Sequence, residues 1–386
     1  MESKTTHHPM KEILLADPGF IYRRFKADLD EAASKVLAGG WYILGPEVAA
    51  FEEEFARYCG VAHAVGVGSG TDALQLALRA CRIGPGDLVV TVAHSAVATV
   101  SAIELAGATP VLVDIDEQSY TMDPAALERA VSYHGKAIKA IIPVHLYGHP
   151  ADMPAIMDIA RRSGVRVIED CAQSHGAGIE GRSIGTWGDF AAYSFYPTKN
   201  LGAFGDAGAL TTGDVQLAQQ ARMIRQYGWE QRYISVARGM NTRLDELQAS
   251  LLRVVLPHLD EHNEMRRKTA DLICQGLQHE GTLSMPLTRT GFHHVYHQLT
   301  IRSRHRDALQ ALLKERQIGS GVLYPVPVHK QPAYLDNILI GPGGLALTEL
   351  VAGEILSLPV HPGVCRNDAT RVVESIKEAI KSLPNI

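Results

Sequence analysis

Between residues 60 and 215, short apolar runs alternate with stretches whose apolar positions recur at helical spacing. Ala62–Val67 predicts a strand. In Thr71–Cys81, Leu74, Ala77, Leu78 and Cys81 fall on one face, the three- and four-residue step of an amphipathic helix. Leu88–Val92 predicts the next strand, Ala96–Leu105 a helix, and Thr109–Asp114 a strand again. Asp123 and Pro124 supply a cap and a first-turn proline for a helix running to Val131. Ala140–Val144, Pro154–Ser163 and Val165–Glu169 continue as strand, helix and strand. This alternation means βαβ units, and so an α/β fold with a mostly parallel central sheet covered by helices. Ligands of such sheets bind at the carboxyl ends of the strands, which makes strand-end residues the ones to watch.

Later the pattern changes. Pro257 interrupts the helical Leu244–Leu256 stretch, and a long polar helix follows over Leu259–Leu277. Tyr296–Arg302 then predicts a strand, His305–Lys314 a helix, Gly319–Tyr324 a strand, and Asp368–Leu383 a final helix. The chain therefore divides into a large domain over residues 1–258 and a smaller C-terminal α+β domain over 259–386.

Composition narrows the class. With 46% hydrophobic and 20% charged residues the chain can bury a substantial core, which excludes a disordered protein. Thirty-seven Lys+Arg against 42 Asp+Glu leave a net charge of -5, which argues against a nucleic-acid binder. No apolar run approaches the roughly 18 residues that span a bilayer. The polar Met1–Asp17 segment lacks the pattern of a secretory signal, and His7–His8 is too short to be a tag. Five scattered cysteines (Cys59, Cys81, Cys171, Cys274, Cys365) without a C-x-x-C argue against a disulfide framework and fit a reducing cytoplasm. The expectation is a soluble cytoplasmic protein with neither membrane nor nucleic-acid partner.

Three segments carry candidate chemistry. Gly66-Val67-Gly68-Ser69-Gly70-Thr71 runs from strand to helix through glycines, which let backbone N–H groups and two hydroxyls approach an anion such as phosphate. An ordinary tight βα turn capped by Thr71 reads equally well, and neither a third glycine nor a P-loop lysine points to a nucleotide. Val167–Asp170 delivers Glu169 and Asp170 at a strand end, on opposite faces, so that one of them faces the ligand crevice. A solvated acidic loop is the alternative. In Gly188–Asn200 a strand ends at Ser194, and Lys199 follows among aromatic residues and glycines. A loop lysine is normally a surface charge; desolvated, it loses its proton more easily and becomes a nucleophile toward an aldehyde.

An anion cradle, a strand-end carboxylate and a lysine are the parts that a pyridoxal phosphate enzyme requires. The stretches GSGTDALQLAL, VIEDCAQSHGA, GDFAAYSFYPTKNLGAFGDAGAL and GMNTRLDELQASLL resemble the DegT-type sugar-nucleotide aminotransferases, of the fold-type I pyridoxal phosphate superfamily. The resemblance covers the chain from about residue 20 to its end. It implies pyridoxal 5'-phosphate as cofactor, Lys199 as the Schiff-base lysine and Asp170 as partner of the pyridine nitrogen. It also implies that Gln173 bonds the cofactor's phenolic oxygen, and that Gly70, Thr71 and Ser194 hold its phosphate with Ser69 nearby. Asn241 would reach the phosphate of a neighbouring subunit's cofactor, which implies a homodimer with shared active sites. One departure stands out: the segment that carries a ring-stacking aromatic in many members reads Val92–Thr99 here. Ala96 falls at the stacking position, and His94 is offset from it by two residues.

The pairs His145/His149 and His258/His262 have metal-like spacing but no acidic third ligand, so no metal is expected. His329 and Tyr324 match a family segment near the sugar, which makes both candidate substrate contacts; a proline-rich loop packed on a domain interface is the alternative. The implied reaction moves an amino group from glutamate or glutamine to a nucleotide-linked keto-deoxysugar. The segment Arg225–Glu230 resembles members acting at C3 of dTDP-3-keto-6-deoxyhexoses more than those acting at C4. A sugar dehydratase of this family replaces the lysine with histidine, and a regulatory protein of the same fold would have a damaged Lys, Asp or Gln. All three are intact.

Overall fold

The computed structural model describes residues 11–383, so the His7–His8 pair lies outside the described residues. A short helix at Gly19–Arg24 and two longer ones precede the first strand; the longer ones, α1 (Lys26–Gly39) and α2 (Pro46–Cys59), each end on a left-handed glycine, Gly40 and Gly60. Seven strands of the large sheet follow: β1 (His63–Val67), β2 (Leu88–Val92), β3 (Thr109–Val113), β4 (Ile138–Ile141), β5 (Arg166–Asp170), β6 (Phe190–Ser194) and β7 (Gly208–Thr212). Among and after them run α3 (Gly70–Ala80), α4 (Ala98–Ala106), α5 (Pro124–His134), α6 (Met153–Ser163), α7 (Val215–Arg225) and α8 (Glu246–Val255). The later chain supplies α9 (Leu259–Leu277), β8 (Leu283–Ser284), β9 (Leu299–Ser303), α10 (Arg306–Glu315), β10 (Leu339–Ile340), α11 (Ala346–Glu354), β11 (Ile355–Leu358) and α12 (Arg366–Ser382).

The large sheet has the order β1-β7-β6-β5-β4-β2-β3-β10. From β6 to β10 every neighbouring pair is parallel, while β7 is antiparallel to both β1 and β6. Alternation along β6 covers both faces of the sheet. Phe190 and Ala192 pack with Leu74, Leu76 and Leu78 of α3, whereas Ala191 and Tyr193 pack with Phe51 and Phe55 of α2. The smaller sheet, β8-β9-β11, is antiparallel. Its core joins Leu299 and Ile301 to Ile273 and Leu277 of α9 and to Val372 and Ile376 of α12. No helix among the described residues is long and apolar enough to cross a membrane.

The expected strand over Gly319–Tyr324 is not formed. Only Gly321 pairs, exchanging bonds of 3.1 and 2.7 Å with Ser357. Pro325 and Pro327 follow, and without N–H groups they cannot extend a ladder. The chain leaves the small sheet there and carries Tyr324 toward the large one.

Candidate active site

Asp170 ends β5, in register with Ala192 of β6. Its carboxylate is 5% exposed and bonded at both oxygens: Oδ2 accepts from the Thr99 hydroxyl at 2.7 Å, Oδ1 from the Ala172 N–H at 3.1 Å. A carboxylate has about four lone-pair sites, so acceptor capacity is left for another donor. Glu169 points the other way. Fully buried, it accepts the N–H groups of Gly185, Trp187 and Gly188 at 2.8–2.9 Å and meets His145 at 3.2 Å. One of the two strand-end acids is thus spent on tying down a loop, and the other is left for chemistry.

Lys199 lies in the turn from β6 to β7, its N–H bonded to the Tyr196 carbonyl at 2.8 Å. The turn is tight: a Cβ on Gly202 would stand 2.5 Å from the Pro197 carbonyl oxygen, so only glycine fits there. Burial brings the Lys199 ammonium down to about 8, against the opposing pull of the Asp170 charge. The amine is therefore half-buried, within electrostatic reach of Asp170, and substantially neutral in mildly alkaline solution.

Ser69, Gly70 and Thr71 form the N-terminus of α3, where Ser69 Oγ accepts the Asp72 N–H at 3.1 Å. The Gly70 and Thr71 N–H groups belong to the first helical turn and have no intrahelical acceptor. Strand register brings Ser194 alongside, since Gly208 pairs with both Val67 and Ser194. Contact is close enough to exclude side chains. A Cβ on Gly70 would lie 2.7 Å from Ser194 Cβ, and one on Gly208 2.4 Å from the Ser69 carbonyl carbon. Orphan donors, the hydroxyls of Ser69, Thr71 and Ser194, and the positive end of an eleven-residue helix make a site for an anion.

Gln173 is held at both ends of its amide: Oε1 accepts the Tyr147 N–H at 2.7 Å, and Nε2 donates to the Tyr324 hydroxyl at 3.2 Å. Tyr324 is thereby brought to the site, its hydroxyl pushed up to about 12 by burial and by Asp170. His329 is engaged elsewhere, with Nε2 3.0 Å from Glu349 of α11. Asn241 is exposed beside Thr242, whose hydroxyl accepts the Gly68 N–H and donates to Asp72, each at 2.9 Å. His94 is committed to the interior. It is 1% exposed, bonded at 2.9 Å to the Tyr147 hydroxyl, and brought by burial down to about 4. No such tie engages Ala96, which is half-buried beside the exposed Val97.

Thr99, Tyr147 and Thr242 were not singled out from sequence, because each acts through one hydroxyl or backbone group that no spacing marks. His145, Glu169 and Cys171 bring possible metal-binding atoms within 4.8 Å of one another. Two of the three are already engaged: His145 Nδ1 accepts the Ala151 N–H at 2.9 Å, and Glu169 carries its three backbone donors.

The family model for the DegT/DnrJ/EryC1/StrS aminotransferase family matches residues 24–377. Over 357 residues the chain is 46% identical to the dTDP-3-amino-3,4,6-trideoxy-alpha-D-glucose transaminase of Streptomyces venezuelae, covering 92% of this chain and 93% of that one. The crystal structure of S. venezuelae DesV in complex with a ketimine intermediate is similar at a TM-score of 0.93 and 44% identity, over 97% of this chain and 100% of that one. NtdA from Bacillus subtilis with bound cofactor PMP matches at a TM-score of 0.87 and 30% identity, over 97% and 87%. The architecture is that of the fold-type I pyridoxal phosphate-dependent aminotransferases.

Proposed function

The chain belongs to the DegT/DnrJ/EryC1/StrS aminotransferase family, and from that premise we propose that it transfers an amino group from glutamate or glutamine to C3 of a dTDP-linked 3-keto-6-deoxyhexose, with pyridoxal 5'-phosphate as cofactor. One observation carries the reading: a desolvated lysine, Lys199, within electrostatic reach of the buried, hydrogen-bonded carboxylate of Asp170. The choice of C3 and of the dTDP sugar rests on the 46% identity to the Streptomyces venezuelae transaminase. The choice of cofactor rests on the family's chemistry and on the PMP bound by NtdA.

The residues fit that cofactor. Without side chains, Gly70 and Gly208 let Ser194 and β7 close in on the α3 N-terminus, where Ser69, Thr71 and Ser194 would be hydroxyl donors to a phosphate. Asp170 has acceptor capacity for a ring N–H, and Gln173 keeps one amide hydrogen for a phenolic oxygen. When bound, pyridoxal phosphate supplies an aldehyde to which amines add and a protonated ring that takes up the electrons released at the donor's α-carbon.

The chain's own groups do the rest. Asp170 would hold the proton on the ring nitrogen, and Thr99 fixes the direction of that carboxylate. Lys199 presents a partly neutral amine that would take the donor's α-proton and return it one carbon away. Donor and sugar use this site in turn, which predicts ping-pong kinetics. Asn241 reaches the phosphate site of a second subunit, so the working unit is a homodimer.

The purified enzyme should absorb visible light, bleach with glutamate, and regain its colour with a dTDP-3-keto sugar but not with 4-keto sugars. Lys199→Ala should lose both the absorbance and turnover. Turnover surviving that exchange would remove the aminotransferase mechanism, whereas preference for 4-keto sugars would remove only the C3 assignment.

A further inference from the structure

Lys199 also lines a second, much smaller space. A cavity of about 30 Å³ is walled by α9, by residues 15–21 and by the turn that carries Lys199. That volume admits one water-sized group and excludes a substrate. Arg266 enters it from α9, one helical turn beyond His262, so both face the same way. The arginine is 6% exposed, yet its guanidinium is poorly satisfied. Nη1 reaches the Tyr296 and His297 carbonyls at 3.4 and 3.5 Å, the outer limit of a hydrogen bond, and Nε has no partner.

No carboxylate among the described residues pairs with Arg266. Asp17 is the one acid in the cavity wall, and it pairs with Arg23. Both ring nitrogens of His262 are buried without a partner, and burial brings that imidazole down to about 4, so it adds no charge of its own. His297 is held by Asn200: the Asn200 amide donates to Asn263 and to the Val295 carbonyl, so its oxygen takes the His297 Nδ1–H at 3.2 Å. Among the described residues the wall thus contains the Arg266 guanidinium and the Lys199 amine, and no free anion. Burial lowers Arg266 only to about 10, which leaves it charged at neutral pH. A buried charge without a counter-charge costs several kcal/mol, and proteins rarely leave one so.

We propose that this cavity is a binding site for a single monoanion of halide size, held against the Arg266 guanidinium in the space it shares with Lys199. The ion supplies the counter-charge that no side chain among the described residues provides. It also adds negative charge beside the reacting lysine that is independent of Asp170. The site does not rest on the cofactor assignment, because Arg266 is buried and without a counter-charge among the described residues whatever occupies the α3 N-terminus.

The test is crystallographic. Crystals of the holoenzyme grown in sodium bromide should give an anomalous peak at hydrogen-bond distance from Arg266. The peak should be lost in Arg266→Met and kept in Arg266→Lys, and the lysine variant carries the comparison should the methionine variant not fold. A water without anomalous signal at saturating bromide, or a bromide peak that survives Arg266→Met, overturns the proposal.

Discussion

Lys199 and Asp170 show different consequences of burial. Desolvation brings the lysine amine down to about 8. Asp170 is fixed in direction by its donors, of which the Thr99 hydroxyl at 2.7 Å is the shorter. A hydrogen bond to a charged group contributes about 1.5–3 kcal/mol. Thr99→Val keeps the shape and β-branch of the side chain but removes this bond. We expect kcat to fall about tenfold, in line with the lower end of that range, while the cofactor's absorbance persists. An unchanged kcat would reduce Thr99 to a packing residue. Lys199 stood out in the sequence by its aromatic and glycine-rich setting, whereas strand alternation put one of Glu169 and Asp170 at the crevice without saying which, and the family resemblance chose Asp170. Thr99 was not legible there, since its part depends on α4 lying across the end of β5, which only the fold reveals.

At the scale of elements, legibility followed burial. The helix expected over Thr71–Cys81 is α3 at Gly70–Ala80, because its apolar stripe packs wholly into the core. The helix expected at Ala96 starts at Ala98 instead, after the 93–97 segment has placed His94 against Tyr147. α1 left little mark, since only Leu29 and Val36 are buried along its length. Strand β7 is buried at every position and offers no alternation, and it begins at the glycine that lets the anion cradle close. That glycine is testable. Gly208→Ala puts a methyl group 2.4 Å from the Ser69 carbonyl carbon and must displace the start of α3. Cofactor affinity, measured by titrating the cofactor-free protein, should drop at least about tenfold, a displacement cost of 1.4 kcal/mol or so. Gly213→Ala has nothing within 4 Å of its added carbon and should bind normally. Equal affinities would mean that the cradle is not where the phosphate sits.

At the scale of the molecule, two stretches of apolar side chains among the described residues stand exposed together, the kind of surface that marks a protein contact. Leu37, Trp41, Tyr42 and Ile43 are 41–62% exposed where α1 gives way to α2, and Tyr233, Ile234 and Val236 stand 56–73% exposed on the hairpin after α7. That hairpin pairs Trp229–Gln231 with Ile234–Ser235, and at its base the exposed Asn241 bridges Gln226, with Thr242 beside it bonded to the β1–α3 turn. A second copy of the chain docked over these surfaces would cover them and bring its Asn241 to the first copy's cradle, the arrangement we propose. Subunit mixing decides it. Lys199→Ala and Asn241→Ala subunits should each be inactive or nearly so as pure dimers. In a shared-site hybrid, one active site collects both defects, and the other regains an intact Lys199 from one chain and an intact Asn241 from its neighbour. Random reassortment of equal amounts makes half the dimers hybrid, so activity should return to about a quarter of the wild-type value. Were each site built within one subunit, no combination would restore an intact site, and the mixture would stay at the mean of its two inactive parents.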